Sequence, residues 1–163
     1  MNIPRFTAVC ERIFTKASAK IPVGSRAGLI HDPSATRDSE RVTHALKFCI
    51  WKDSTSRFWN RHYSSYHIIY DPQKELSEDC LFQIRFMFFL NRKEVGEDRF
   101  HNDVFTTLQP LDQQHGFECV ITPKLAVLTK HYQGIGPTPQ WEADATDALA
   151  WLLTSTLPIF SKL

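Results

Sequence analysis

Residues 57 to 70, RFWNRHYSSYHIIY, place Arg57, Arg61, His62 and His67 among Phe58, Trp59, Tyr63, Tyr66 and Tyr70. Aromatic rings that stack on bases, beside arginines that neutralise phosphate, are the chemistry of single-strand nucleic-acid binding. The same residue types supply most anchoring side chains of protein interfaces. Arg57, Trp59, Arg61, Tyr63 and Tyr66 are therefore the candidate partner-binding residues. Between Arg41 and Tyr70 the bases Arg41, Lys47, Lys52, Arg57 and Arg61 meet one acid, Asp53. That local excess is modest, and a formal charge of +1 for the whole chain offers a polyanion little long-range attraction. A protein partner is the leading expectation, with nucleic acid as the alternative. In the plainer reading Trp59 is core and the arginine stems cover it.

Metal and nucleophile chemistry finds weaker footing. None of the seven histidines forms His-x-His, His-Glu-x-x-His or a close set with cysteine. His115-Gly-Phe-Glu-Cys119 comes nearest and reads as a turn leading into a strand. Cys119 with His115 or His131 imitates a thiol and its base, but a cysteine within an apolar strand is usually inert. Gly134-Ile-Gly136 stands ahead of a helix, yet lacks the third glycine or the Gly-Lys-Ser/Thr sequence of a phosphate loop. Neither a metal nor a cofactor is expected.

The elements that must position these groups are clearer. Leu81 to Leu90, LFQIRFMFFL, alternates Phe82, Ile84, Phe86, Phe88 and Leu90 with Leu81, Gln83, Arg85, Met87 and Phe89. One face is wholly apolar and the other is polar at its middle, the pattern of a central strand with helices on one side and partial cover on the other. Phe86 is expected at the sheet's centre, buried against helix residues such as Phe14 or Leu149. Phe6, Val9, Cys10, Ile13, Phe14 and Ala17 predict an amphipathic helix over 5–19, with Arg5, Glu11, Arg12 and Lys16 on its other face. Residues 20 to 43 predict a long loop, with at most a short helix. Strands are expected at Ala45–Trp51, Ser64–Tyr70, Phe117–Ile121 and Leu125–Tyr132, the last two joined tightly through Thr122-Pro123-Lys124. A middle helix is marked by Phe100, Val104, Phe105, Leu108 and Leu111. The last helix has Thr138 as its N-cap and Pro139 at its first position, and Pro158 is expected to kink or end it.

The order α-β-β-β-α-β-β-α predicts one α+β domain over residues 1–163, with helices packed on a mostly antiparallel five-stranded sheet. A hydrophobic content of 42% and 23% charged residues suit such a domain, and at this length folding buries roughly 70% of the chain's surface. The four cysteines, Cys10, Cys49, Cys80 and Cys119, are widely spaced and read as free thiols. The charged N-terminus lacks an apolar signal core, and no run approaches a membrane span of about 18 residues. A cytoplasmic protein is the expectation.

Two known classes share parts of this order. The restriction-nuclease-like core places a metal carboxylate at the end of its second core strand and Glu-x-Lys on the third. Asp71 followed by Gln83-Ile84-Arg85 resembles that pattern distantly, as weak catalytic candidates. Glutamine brings no charge to a cation, however, and an always-protonated arginine cannot replace a tunable lysine. The element order is also similar to that of type III secretion chaperones, which bind an extended partner segment. The leading expectation is a non-enzymatic protein-interaction module, adaptor-like or chaperone-like; the alternative is a degenerate or active metal-dependent nuclease-like protein.

Overall fold

In the computed structural model, residues 3–21, 26–32, 44–51, 64–70, 80–89, 100–133 and 138–161 are described. They form an antiparallel sheet with helices, as expected for the α+β class. Its strands are β1 (Arg26–Asp32), β2 (His44–Trp51), β3 (Ser64–Tyr70), β4 (Cys80–Phe89), β5 (Phe117–Thr122) and β6 (Leu125–Gln133). The sheet has six strands rather than five, in the order β1-β2-β3-β4-β6-β5. The added strand is β1, inside the stretch expected to be a loop. Its alternation is broken by Gly28 and it is flanked by Pro22, Gly24 and Pro33, so local sequence favours a turn. Pairing with β2 from Arg26↔Trp51 to Asp32↔Ala45 overrides that preference.

The strands β2, β3 and β4 form the expected meander, and β4 is central, flanked by β3 and β6. Alternation along β4 is borne out: Ile84, Phe86 and Phe88 are fully buried, while Gln83, Arg85 and Met87 on the other face are half-buried. The hairpin of β5 and β6 closes on Thr122↔Leu125. Thr122 Oγ1 accepts from the backbone N–H of Leu125 at 3.1 Å and Lys124 at 3.4 Å, so one side chain organises the turn around Pro123.

The N-terminal helix runs Ile3–Ser18 and the C-terminal helix Pro139–Ser161. Thr138 caps the latter through Trp141 N–H at 3.1 Å, with Pro139 at the first position, where its missing donor costs nothing. Pro158 does not end this helix. Leu157 packs against the core and Ile159 is buried, and that packing carries the chain past the lost backbone bond to Ser161.

Between β4 and β5 lie a π-helical turn (Phe100–Phe105), an α-turn (Thr106–Leu108) and a 3₁₀ turn (Gln109–Leu111) containing Pro110. Val104 and Leu108 are buried there, whereas Phe105 is 37% exposed. The expected helical stripe fails at Phe105 because a widened turn departs from the 3.6-residue period. Phe6, Val9, Cys10, Ile13 and Ala17 of the N-terminal helix join Leu149, Leu152 and Leu153 of the C-terminal helix and the apolar face of β3, β4 and β6 in one core.

Candidate binding groove

Two stripes run along the N-terminal helix. Phe6, Cys10, Ile13 and Ala17 turn into the core, while Arg5, Ala8, Arg12, Lys16 and Ala19 follow at three- or four-residue steps along another flank, with Lys20 four beyond Lys16. The C-terminal helix brings Pro139, Glu142, Ala143, Thr146 and Asp147 opposite them. Alanine at 8, 19 and 143 leaves the seam between the helices unfilled, and a groove of about 940 Å³ results. Among the described residues its walls carry four cationic and two acidic side chains.

Ion pairs cross this groove. Arg12 holds Glu142 in a two-pronged contact, Nε to Oε1 at 3.1 Å and Nη2 to Oε2 at 2.9 Å. Lys16 Nζ lies 3.4 Å from the same Oε1, and Lys20 pairs with Asp147. The Arg12 guanidinium, helped by Lys16, holds the Glu142 carboxyl below its ordinary pKa against the opposing effect of burial. One carboxylate thus serves two cations.

Of the sequence-predicted partner residues, Arg57, Trp59, Arg61 and Tyr63 lie outside the described residues, as does the catalytic candidate Asp71. Tyr66 is a core residue, not one a partner could reach. It is fully buried, its ring centroid is 4.8 Å from that of Phe86, and its hydroxyl meets Thr156 Oγ1 at 2.6 Å. The physical reason is strand parity: Tyr66 and Ile68 share the face of β3 that looks to the helices, so the phenol is drawn in once Thr156 supplies a polar partner.

Gln83 and Arg85 do come together, on the opposite face of the sheet. Arg85 Nη2 donates to Gln83 Oε1 at 2.7 Å, so the amide oxygen is engaged by a permanent cation. The pairing places His67 and Thr129 beside Arg85, with Glu118 beyond Thr129. Among the described residues, no group of three or more His, Cys, Asp or Glu side chains is placed to hold a metal ion.

No family model, curated protein or solved structure matches this chain.

Burial disfavours the thiolate form at both Cys10 and Cys119. Cys119 is pushed up to about 11, first by burial and then by Asp112, and burial raises Cys10 further still. His115 packs against Trp151 with the rings tilted and their centroids 4.6 Å apart. Cys119 is paired with Leu128, and His131 is an odd number of residues from Leu128, which puts it on the other face of the sheet.

The groove itself escapes sequence reading. Arg12 and Glu142 stand 130 positions apart, and the cations of the N-terminal helix read simply as a solvated face. The available signal is narrow: basic residues at 5, 12, 16 and 20, and acids in the first turns of the last helix.

Proposed function

We propose that this chain is a non-enzymatic protein-interaction module, a single α+β domain acting in the cytoplasm as an adaptor or chaperone-like binder. The observation that supports it is the groove between the two long helices, where small apolar side chains lie between charged walls. Such a surface combines area to bury with polar groups that fix orientation, the requirements of a binding site. Among the described residues it offers no nucleophile and base in contact, and burial disfavours the thiolate at Cys10 and Cys119 outside it.

The test is photo-cross-linking in native lysate, with a photoreactive residue replacing Ala19 on the groove rim or Val120 on the far face of the sheet. A discrete protein adduct from position 19 and none from position 120 is expected. Equal labelling at both positions would show that the groove is not where a partner binds. Cleavage of DNA or RNA in Mg²⁺ or Mn²⁺, lost in a folded Asp71→Ala variant, would replace the binding reading with the nuclease-like one.

A further inference from the structure

We infer that the groove receives an extended acidic segment of a partner protein, with carboxylates at alternate positions, and that Glu142 occupies one carboxylate position when no partner is bound. This rests on the partner-binding reading and specifies its chemistry.

Charge carries the first step. Among the described residues Arg12 and Lys16 share the one carboxylate of Glu142, Lys20 pairs with Asp147 and Arg5 lies farther along the same wall, so cationic side chains outnumber acidic ones in a chain that is nearly neutral overall. Thr138 and Pro139 bring the N-terminus of the 23-residue C-terminal helix to the same groove, and the partial positive charge of a helix start adds to the preference for anions.

Spacing carries the second. On a helix rising 1.5 Å per residue, Arg12, Lys16 and Lys20 follow one another at about 6 Å, and the distance from Arg5 to Lys20 is about 22 Å. In an extended peptide, side chains two residues apart share a face at about 6.7 Å, so about seven residues span the groove. Acids at every second position therefore meet successive cations, and small residues between them suit walls made of Ala8, Ala19 and Ala143. A continuous phosphate backbone is the poorer fit, because the chain as a whole lacks the large positive charge that draws a polyanion.

Glu142 shows how a carboxylate is held here. It accepts both prongs of Arg12 and lies within reach of Lys16, the contacts a partner's acid would make. Removing its charge releases those cations to the ligand.

The experiment measures fluorescence anisotropy of a labelled peptide of about seven residues, glutamate alternating with alanine and leucine. Controls are the same peptide with glutamine for glutamate, one with lysine for glutamate, and a single-stranded oligonucleotide. We expect Glu142→Gln to tighten binding of the acidic peptide several-fold and the pair Lys16→Ser with Lys20→Ser to weaken it by roughly tenfold, with melting temperatures recorded to show that the variants fold. If these charges serve only to tie the helices together, Glu142→Gln leaves peptide affinity unchanged, and the inference is overturned. Tighter binding of the oligonucleotide also overturns it, in favour of a nucleic-acid ligand. Equal binding of the glutamine or lysine peptide overturns the acidic preference but leaves partner binding standing. No binding of any peptide, with no adduct at position 19, removes both.

Discussion

The hydroxyls of Tyr66 and Thr156 meet at 2.6 Å in the core, joining β3 to the C-terminal helix with both residues fully buried. Thr156 Oγ1 also lies 2.7 Å from Leu152 O, an acceptor that can only receive a proton. A threonine has one proton to give, so Tyr66 donates to Thr156 and Thr156 donates to Leu152. This short chain of donors gives the buried phenol a hydrogen-bond partner.

Breaking the chain at either end has different costs. Tyr66→Phe removes the donor and leaves Thr156 bonded to its helix, with an expected loss of about 1 kcal/mol; Thr156→Val takes away the acceptor that the buried phenol uses and costs about 1–3 kcal/mol. Denaturant unfolding of the two single variants and the double variant should show the double costing less than the sum. Strict additivity would mean that the two groups do not interact.

Phe86 tests the centre of the sheet. It is fully buried beside Tyr66 on the strand between β3 and β6, and Phe86→Ala is expected to cost about 3–5 kcal/mol through lost transfer energy and the cavity left behind. A loss below about 1 kcal/mol on urea unfolding would contradict a central position.

Asp112 guards an edge. β5 ends the sheet, and Asp112 Oδ1 accepts the Cys119 N–H at 2.7 Å while Gln113 N–H bonds Phe117 O at 2.7 Å. These contacts engage backbone groups that another strand could otherwise pair with. Asp112→Ala should cost about 0.5–2 kcal/mol and promote concentration-dependent association in sedimentation velocity. Asp112→Asn keeps an acceptor oxygen and should remain closer to wild type on both counts.

Acid should weaken the seam between the helices. Arg12, then Lys16, holds the Glu142 carboxyl below its ordinary pKa of 4.5. A carboxylate that is more acidic folded than unfolded adds stability fully present above its unfolded pKa and lost as pH falls through the lower folded value. Wild type should therefore exceed Glu142→Gln in melting temperature at neutral pH, with the gap closing below about pH 4.5. Both partners touch solvent, so the gap is small and added salt should narrow it. A gap independent of pH would show that the charge of Glu142 does not contribute.

The core was the most legible part of the sequence, because burial imposes a period on residues adjacent in the chain. Phe86 and Ile84 declare their face without reference to any other element, and the N-terminal helix does the same through Phe6, Cys10 and Ile13. β1 was hidden because its pairing is decided by β2 and not by the residues around Gly28. The position of β6 between β4 and β5 likewise leaves no local mark. Tyr66 misled because a tyrosine beside histidines reads as amphipathic surface until Thr156, on a distant helix, supplies its partner. The groove depends on where two helices meet, which neither helix records alone.

The strand order also sets a sequence of events during synthesis. β4 is complete at Phe89, but its second neighbour, β6, reaches only to Gln133. At translation rates of about 5–20 residues per second, the nascent chain presents one side of its most aromatic strand unpaired for seconds. A chaperone acting at that stage would meet β4 with β3 already made and β6 still to come, and chains released between residues 89 and 125 keep that edge open.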